Sequence, residues 1–374
     1  MKTHPTKPQR LSSLYLSGPT SRSRQTFLFC SMLILNACMG SDPENDTVSA
    51  NGPDASSPSQ EETSPTTVAP AQVTKMMHIN INVSDYNASK AFYEQLGFRS
   101  VFETEDKADA EAAAGLGMPP YELKATPMQL PDGSMLDLIE WTDPVDTRSP
   151  YEHVNHRGIN RVALLTTQLD ALLEKVDAER GTAFSAPVRR DGPAGEYRSV
   201  ILRDLDGTLL ELVEFPSEEM HQEGEPRVIG FYAVHINTSD LAQSIEFYQA
   251  LGFTLGAQMT SEADNILADA YNLTSFEYQS AHLAPSIGPG IVLQQWIEPY
   301  DDGVPYDAMN HLGIARMALE TADLEEDIVT LEKAGYTFYS EPIQPEGMFS
   351  FLRYVCLEDP DGAVMELVEL NLSR

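Results

Sequence analysis

The chain has 374 residues, 42% of them apolar, and its 57 acidic against 24 basic side chains leave a net charge of −33. That length exceeds one ordinary hydrophobic core, so two domains are expected. A polyanion of this kind excludes nucleic acid and an anionic lipid surface as partners held by charge.

The first 26 residues carry Lys2, Lys7, Arg10, Arg22 and Arg24 and no acid. An apolar run from Phe27 to Leu35 follows, too short to span a membrane, and basic flank plus short apolar run is a secretory leader pattern. Leu35-Asn36-Ala37-Cys38 resembles a bacterial lipobox. The resemblance implies a leader over 1–37, cleavage before Cys38, and lipidation of its thiol as an anchor in the cell envelope, with Met39 in second place favouring the outer membrane. Losing those five basic residues takes the net charge from −33 to −38. It also leaves Cys38 and Cys356 as the only cysteines, so no internal disulfide is expected in an exported chain. Residues 38–75 are rich in Ser, Pro, Thr and acids and have almost no large apolar side chains, which predicts a flexible tether.

From residue 76 onward the chain repeats itself at one fixed spacing. Asn155-His156-Arg157-Gly158-Ile159-Asn160-Arg161 returns as Asn310-His311-Leu312-Gly313-Ile314-Ala315-Arg316, 155 residues later. Phe92-Tyr93, Leu96-Gly97-Phe98, Trp141, Pro150-Tyr151, Arg198, Asp206-Gly207 and Glu211 all recur at the same spacing. A register held without insertion over so long a unit marks two duplicated domains, 76–216 and 229–371, with 217–228 as the linker. Within the first, His78-Ile79-Asn80-Ile81-Asn82-Val83 alternates as a half-buried strand does. Ser84-Asp85 then opens a helix carrying Phe92, Tyr93 and Leu96, and Gly97 ends it. Strands are expected over 122–129 and 134–141. A second round supplies a strand over 160–166, a helix on Leu169, Leu172, Leu173 and Val176 stopped by Gly181, and strands over 198–202 and 208–215. Each domain is thus βαβββ twice, an α+β fold.

The stretches HININVSDYNASKAFYEQLGF, DLDGTLLELVEF and DPDGAVMELVEL are similar to the vicinal oxygen chelate superfamily. Its members include glyoxalase I, bleomycin resistance proteins and extradiol dioxygenases. The resemblance implies paired βαβββ modules curling into cups, with the site on the concave face. In metal-using members four strand positions supply the ligands, which here fall on His78, Asp137, Arg161 and Glu211, and in the second domain on Ala233, Val292, Arg316 and Glu366. Ala233 and Val292 cannot ligate, so the second domain is expected to hold no metal, although His235 lies two residues on, on the same strand face.

For the first domain two readings stand. His78, Asp137 and Glu211 are an acceptable set for one divalent ion (Ni, Zn, Fe or Mn), with Glu211 as a catalytic carboxylate. Against it, Arg161 puts a permanent cation in the third ligand position. Arg161 and Arg316 are expected either to pair with Glu211 and Glu366 or to clamp a ligand anion, as Arg198 and Arg353 on a neighbouring strand are also placed to do. The function read from the sequence is an exported protein binding a small organic molecule in its cups. The alternatives are a metal-dependent lyase, epimerase or dioxygenase acting in the first domain, and a partner-binding scaffold. Expected partners are that small molecule, the membrane through Cys38, and a second copy or the chain's other domain. The family closes its cups both within one domain and by exchanging modules, so the pairing of the modules stays open.

Overall fold

His78-Ile79-Asn80-Ile81-Asn82 lies in the first strand of a computed structural model that describes residues 70–371 apart from 177–181, 193–194, 217–223, 263–264 and 347–348. The expected leader, Cys38, most of the tether, Gly181 and part of the linker lie outside the described residues. Four modules follow in chain order. The first contains β1 (Val73–Asn82), α1 (Tyr86–Leu96), β2 (Arg99–Ser100), β3 (Thr104–Ala108), α2 (Ala110–Ala114), β4 (Tyr121–Gln129) and β5 (Met135–Asp143). The second contains β6 (Gly158–Thr167), α3 (Leu169–Lys175), β7 (Thr182–Ala183), β8 (Val188–Gly192), β9 (Gly195–Arg203) and β10 (Leu209–Glu214). The third runs through β11 (Arg227–Asn237), α4 (Leu241–Ala250), β12 (Thr254–Glu262), α5 (Asn265–Ala270), β13 (Glu277–Ala284) and β14 (Gly290–Glu298). The fourth is β15 (Gly313–Thr321), α6 (Leu324–Lys333), β16 (Leu352–Glu358) and β17 (Val364–Leu370).

Local chemistry sets the helix ends. Asp85 caps α1 by accepting from the Ala88 N–H at 3.0 Å, and Gly97 stops it at φ +119°, a left-handed conformation that suits glycine. Asp240 caps α4 in the same manner. The short helices α2 and α5 have no periodic signature to announce them.

The two repeats do not each close a sheet of their own. Sheet A runs β16-β17-β15-β1-β5-β4-β2, joining the first module to the fourth; sheet B runs β12-β13-β14-β11-β6-β10-β9-β7, joining the second to the third. The seams are antiparallel, β1 with β15 and β6 with β11. Alternation then sorts the side chains. Ile79, Ile81, Leu136, Leu138, Met317, Leu319, Met365 and Leu367 join a core shared with sheet B and the helices. Each such fully buried aliphatic stabilises by about 1.5–3 kcal/mol. Their alternate neighbours face the concave side of the curled sheet A, where Ile139, Trp141, Ala318, Val364 and Val368 form a separate cluster.

The exchange is held by the duplicated phrase. Asn82 Nδ2 donates to the Met309 and His311 carbonyls, both at 2.7 Å, and Asn237 Nδ2 donates to those of Val154 and His156 at 2.8 and 2.7 Å. Each asparagine thus grips the loop of the other repeat. Trp141 and Trp296 donate their indole N–H to Asn82 Oδ1 and Asn237 Oδ1 at 2.9 and 3.0 Å, which gives both tryptophans a structural role. Tyr151 and Tyr306 stack at 4.0 Å, and each hydroxyl accepts from the other's backbone N–H. Gly158 and Gly313 sit at φ +110° and +105° beneath these rings, where a Cβ would come within 2.5 Å of a tyrosine hydroxyl.

Candidate functional site on the concave face of sheet A

The exchange regroups the candidate residues. The sequence places Glu211 beside His78 and Asp137, but it lies on β10 in sheet B, while they lie on β1 and β5 in sheet A. The physical reason is the seam: β1 bonds to β15, so the fourth module supplies the other half of the cup. Arg316 and Glu366 therefore join His78 and Asp137, bringing all four family ligand positions of this cup together from both repeats.

His78 Nε2 lies 3.4 Å from Asp137 Oδ2, with the Asp137 side chain one-quarter exposed at the cup's opening. Arg316 Nε donates to Glu366 Oε2 at 2.6 Å, both side chains about nine-tenths buried. Between the pairs stands Asn80, fully buried, which faces Asp137 across one strand pairing and Arg316 across the other. Among the described residues, His78 Nε2, Asn80 Nδ2, Asn80 Oδ1 and Arg316 Nη1 have no hydrogen-bond partner. Buried polar groups are seldom left so, and four on one floor hold hydrogen-bonding capacity that nothing among the described residues meets. Apolar side chains wall it: Tyr121 and Trp141 meet edge to face at 4.9 Å, and Leu116, Met309, Tyr354 and Cys356 pack in the same cluster. Burial pushes the Tyr121 hydroxyl up to about 12, and Glu366 adds to burial in raising the Cys356 thiol, so both stay protonated at neutral pH.

A divalent ion does not fit this donor set. Arg316 occupies the third ligand position and holds the Glu366 carboxylate the ion would need. A guanidinium stays protonated and repels a dication at that distance. Among the described residues no group of three or more His, Cys, Asp or Glu side chains is placed to hold a metal.

The concave face of sheet B has the same plan and a different outcome. Arg161, fully buried, donates from Nε to Glu211 Oε2 at 3.0 Å, and Arg190 on β8 reaches Glu211 Oε1 at 3.1 Å. Arg161 Nη2 and Gln294 Oε1 both lie 3.0 Å from His235 Nδ1. A guanidinium cannot accept, so Nδ1 carries the lone pair and Gln294 must turn its amide –NH2 toward it, the two amide ends being interchangeable by a flip. The ring proton then sits on Nε2, which faces Glu211 Oε2 at 3.5 Å. Burial would raise the Glu211 carboxyl, yet Arg161 and Arg190 outweigh it and hold it down to about 2. Burial and then the Arg161 charge press His235 well below its usual value, so the imidazole is neutral. Tyr271 lies under both guanidiniums, 5.7 Å from Arg161 and 4.9 Å from Arg190. This network closes largely on itself; in it Arg161 Nη1 and the Tyr271 hydroxyl alone lack a partner among the described residues.

The pairing expected within each repeat, Arg161 with Glu211 and Arg316 with Glu366, is present in both cups. Arg198 and Arg353, offered as ligand clamps, are not in the cups. Arg198 bonds Glu214 at 3.0 Å and Asp170 at 2.6 Å, and Arg353 bonds Glu369 and Glu325. On β9, Arg198 shares the parity of Val200 and Leu202, whose side chains join the core between the sheets, so each arginine ties its strand to a helix. Sequence reasoning also passes over Asn80, Arg190 and Gln294. Asn80 has a usable signal, an amide at an inward position of an alternating strand. Arg190, flanked by Arg189, has none.

The fold and site define a four-module α+β cup protein with a buried arginine–glutamate pair on each concave face. The profile of the Glyoxalase/Bleomycin resistance protein/Dioxygenase superfamily matches residues 75–212 and 229–367, and the chain belongs to that superfamily. No curated protein sequence matches. Among solved structures, a point mutant of glyoxalase I from Zea mays superposes with TM-score 0.54 at 18% identity, covering 79% of this chain and 92% of that one. A putative dioxygenase from Bacillus subtilis gives TM-score 0.54 at 13% identity over 80% of this chain and 86% of its own. At these identities the likeness is one of fold.

Proposed function

We propose that the protein is a metal-independent small-molecule binder whose site is the concave face of sheet A. The observation that carries this reading is the floor of four buried, unpartnered polar atoms on His78, Asn80 and Arg316, enclosed by aromatic and aliphatic walls. With its charge neutralised by Glu366, Arg316 supplies there a fixed hydrogen-bond donor, Nη1, that needs no cofactor loading. The self-bonded network under sheet B reads as structural, so Arg161, Glu211 and His235 stabilise the fold and do not contact ligand. The leader pattern and Cys38 support an exported, lipid-anchored chain that offers this cup to solutes of the envelope.

The test is metal analysis of the full-length protein after equilibration with Ni, Zn, Fe and Mn, alongside a thermal-shift ligand screen with and without chelator. The expected result is substoichiometric metal and ligand shifts that chelator leaves unchanged. Stoichiometric metal that disappears in His78→Ala overturns the metal-independent reading, and a screen without any hit overturns the binding one.

A further inference from the structure

We infer that the cup of sheet A takes an uncharged ligand whose recognised group sets a hydrogen-bond acceptor beside a donor, such as a primary amide; this rests on the binding function proposed above. Charge argues first. Arg316 and Glu366 cancel at 2.6 Å, and Lys75 and Glu320 cancel further along the same strands at 2.9 Å. Asp137 remains, with His78 as its nearest cation when protonated, so the floor is at most neutral. An anion placed there meets the like charge of Asp137 with no free cation to offset it beyond His78. The cup is thus not an anion site despite its arginine.

Donor and acceptor geometry argues second. Arg316 Nη1 and Asn80 Nδ2 are unpartnered donors, and Asn80 Oδ1 is an unpartnered acceptor. Asn80 stands between Asp137 and Arg316 in the strand register, so acceptors fall on one side and donors on the other. A ligand amide would meet the Asn80 amide in a two-bond ring, its carbonyl toward Arg316 and its N–H toward Asp137. The corresponding residue of the other cup, His235, is already bonded to Arg161, so this pattern belongs to sheet A alone. Tyr121, Trp141 and Leu116 give the wall against which an aromatic body packs.

Three isosteric probes separate the possibilities: phenylacetamide, its anion analogue phenylacetate, and phenylacetone, which keeps the acceptor and lacks the donor. Titrated against the full-length protein by ligand-observed NMR, phenylacetamide should bind at least tenfold more tightly than either. Asn80→Leu, of similar shape, should weaken it at least tenfold without lowering thermal stability, because the wild-type amide is buried unpartnered. Asp137→Asn, at the exposed edge, provides a second variant and should relieve the discrimination against phenylacetate. Tighter binding of phenylacetate or phenylacetone overturns the ligand class and leaves the binding function standing. Failure of all three overturns this ligand class and, unless the wider screen gives a hit, the binding function with it; undiminished phenylacetamide binding by Asn80→Leu and Asp137→Asn overturns the assignment to this floor.

Discussion

Replacing Glu211 by Gln removes the one negative charge between two buried guanidiniums. The carboxylate, 1% exposed, is bonded at 3.0 Å to Arg161 and 3.1 Å to Arg190. Its depression from 4.5 to about 2 corresponds to about 3 kcal/mol of preference for the charged form. Breaking a buried ion pair by deleting one partner costs about 3–5 kcal/mol. Glu211→Gln should therefore lower unfolding free energy by about 3–4 kcal/mol in denaturant titrations and the melting temperature by roughly 10 °C. The sign with pH follows: a carboxyl depressed in the folded state stabilises above its unfolded value of 4.5 and loses that stabilisation as pH falls toward 2. The gap between wild type and variant should thus close on acidification below about pH 4. Arg190→Met alone should destabilise, but in the Glu211→Gln background it should be neutral or stabilising, since it then removes an uncompensated cation. A loss under about 1 kcal/mol at pH 7, or a gap that persists at about pH 2.5, refutes the closed network.

Other expectations concern the turns, the seam and the anchor. Asp204 and Asp359 are raised to about 6, chiefly by burial, against the bonds each accepts from Tyr93 or Tyr248 and the turn amides. A carboxyl raised in the folded state binds more protons there, so stability should rise as pH drops from 7 toward 4, by on the order of 3 kcal/mol per group. An Asp204→Asn/Asp359→Asn variant whose stability follows wild type across that window sinks the assignment. Gly158→Ala and Gly313→Ala force a Cβ to 2.5 Å from a tyrosine hydroxyl at positive φ, so each should cost at least about 1–2 kcal/mol by thermal denaturation; an unchanged melting point refutes the close approach. Cys38→Ser should move the protein from the membrane to the soluble fraction, and an unaltered distribution defeats the lipid anchor.

Strands, capped helices and duplication are legible because each depends on neighbours in sequence or on a fixed spacing: alternation of Ile79 and Ile81, the Asp85 cap, the 155-residue repeat. The pairing of modules is not legible, because it depends on bonds such as Asn82 to Met309, which span 227 residues and leave no local pattern. That gap propagates into the site. With pairing taken inside one repeat, Glu211 falls with His78, and Glu366 falls in a cup that has already lost its ligands. Arg198 is misplaced for a smaller reason: its side of β9 is fixed by which neighbours reach the inter-sheet core, and an arginine beside a buried run fits both faces.

Exchange of modules also explains how one duplicated phrase serves two different cups. The second and fourth modules each bring an arginine and a glutamate, Arg161 with Glu211 and Arg316 with Glu366, so every cup receives one buried ion pair. What differs comes mainly from the first and third modules. The first contributes His78, Asn80 and Asp137, and the third contributes Ala233, His235 and Val292 at the same repeat positions. Where His235 meets Arg161, with Arg190 added from β8, the polar groups largely satisfy one another. Position 345, which corresponds to Arg190 in the second repeat, is Pro345, so sheet A has no second guanidinium from that place. With Asn80 in the place of His235, the arginine and the amide keep unspent hydrogen-bonding capacity. On the function proposed above, a ligand would complete that floor at no loss of internal bonds, whereas one entering under sheet B would first have to break the Arg161–Glu211–Arg190 contacts, and this difference is the argument for assigning recognition to one cup and stability to the other.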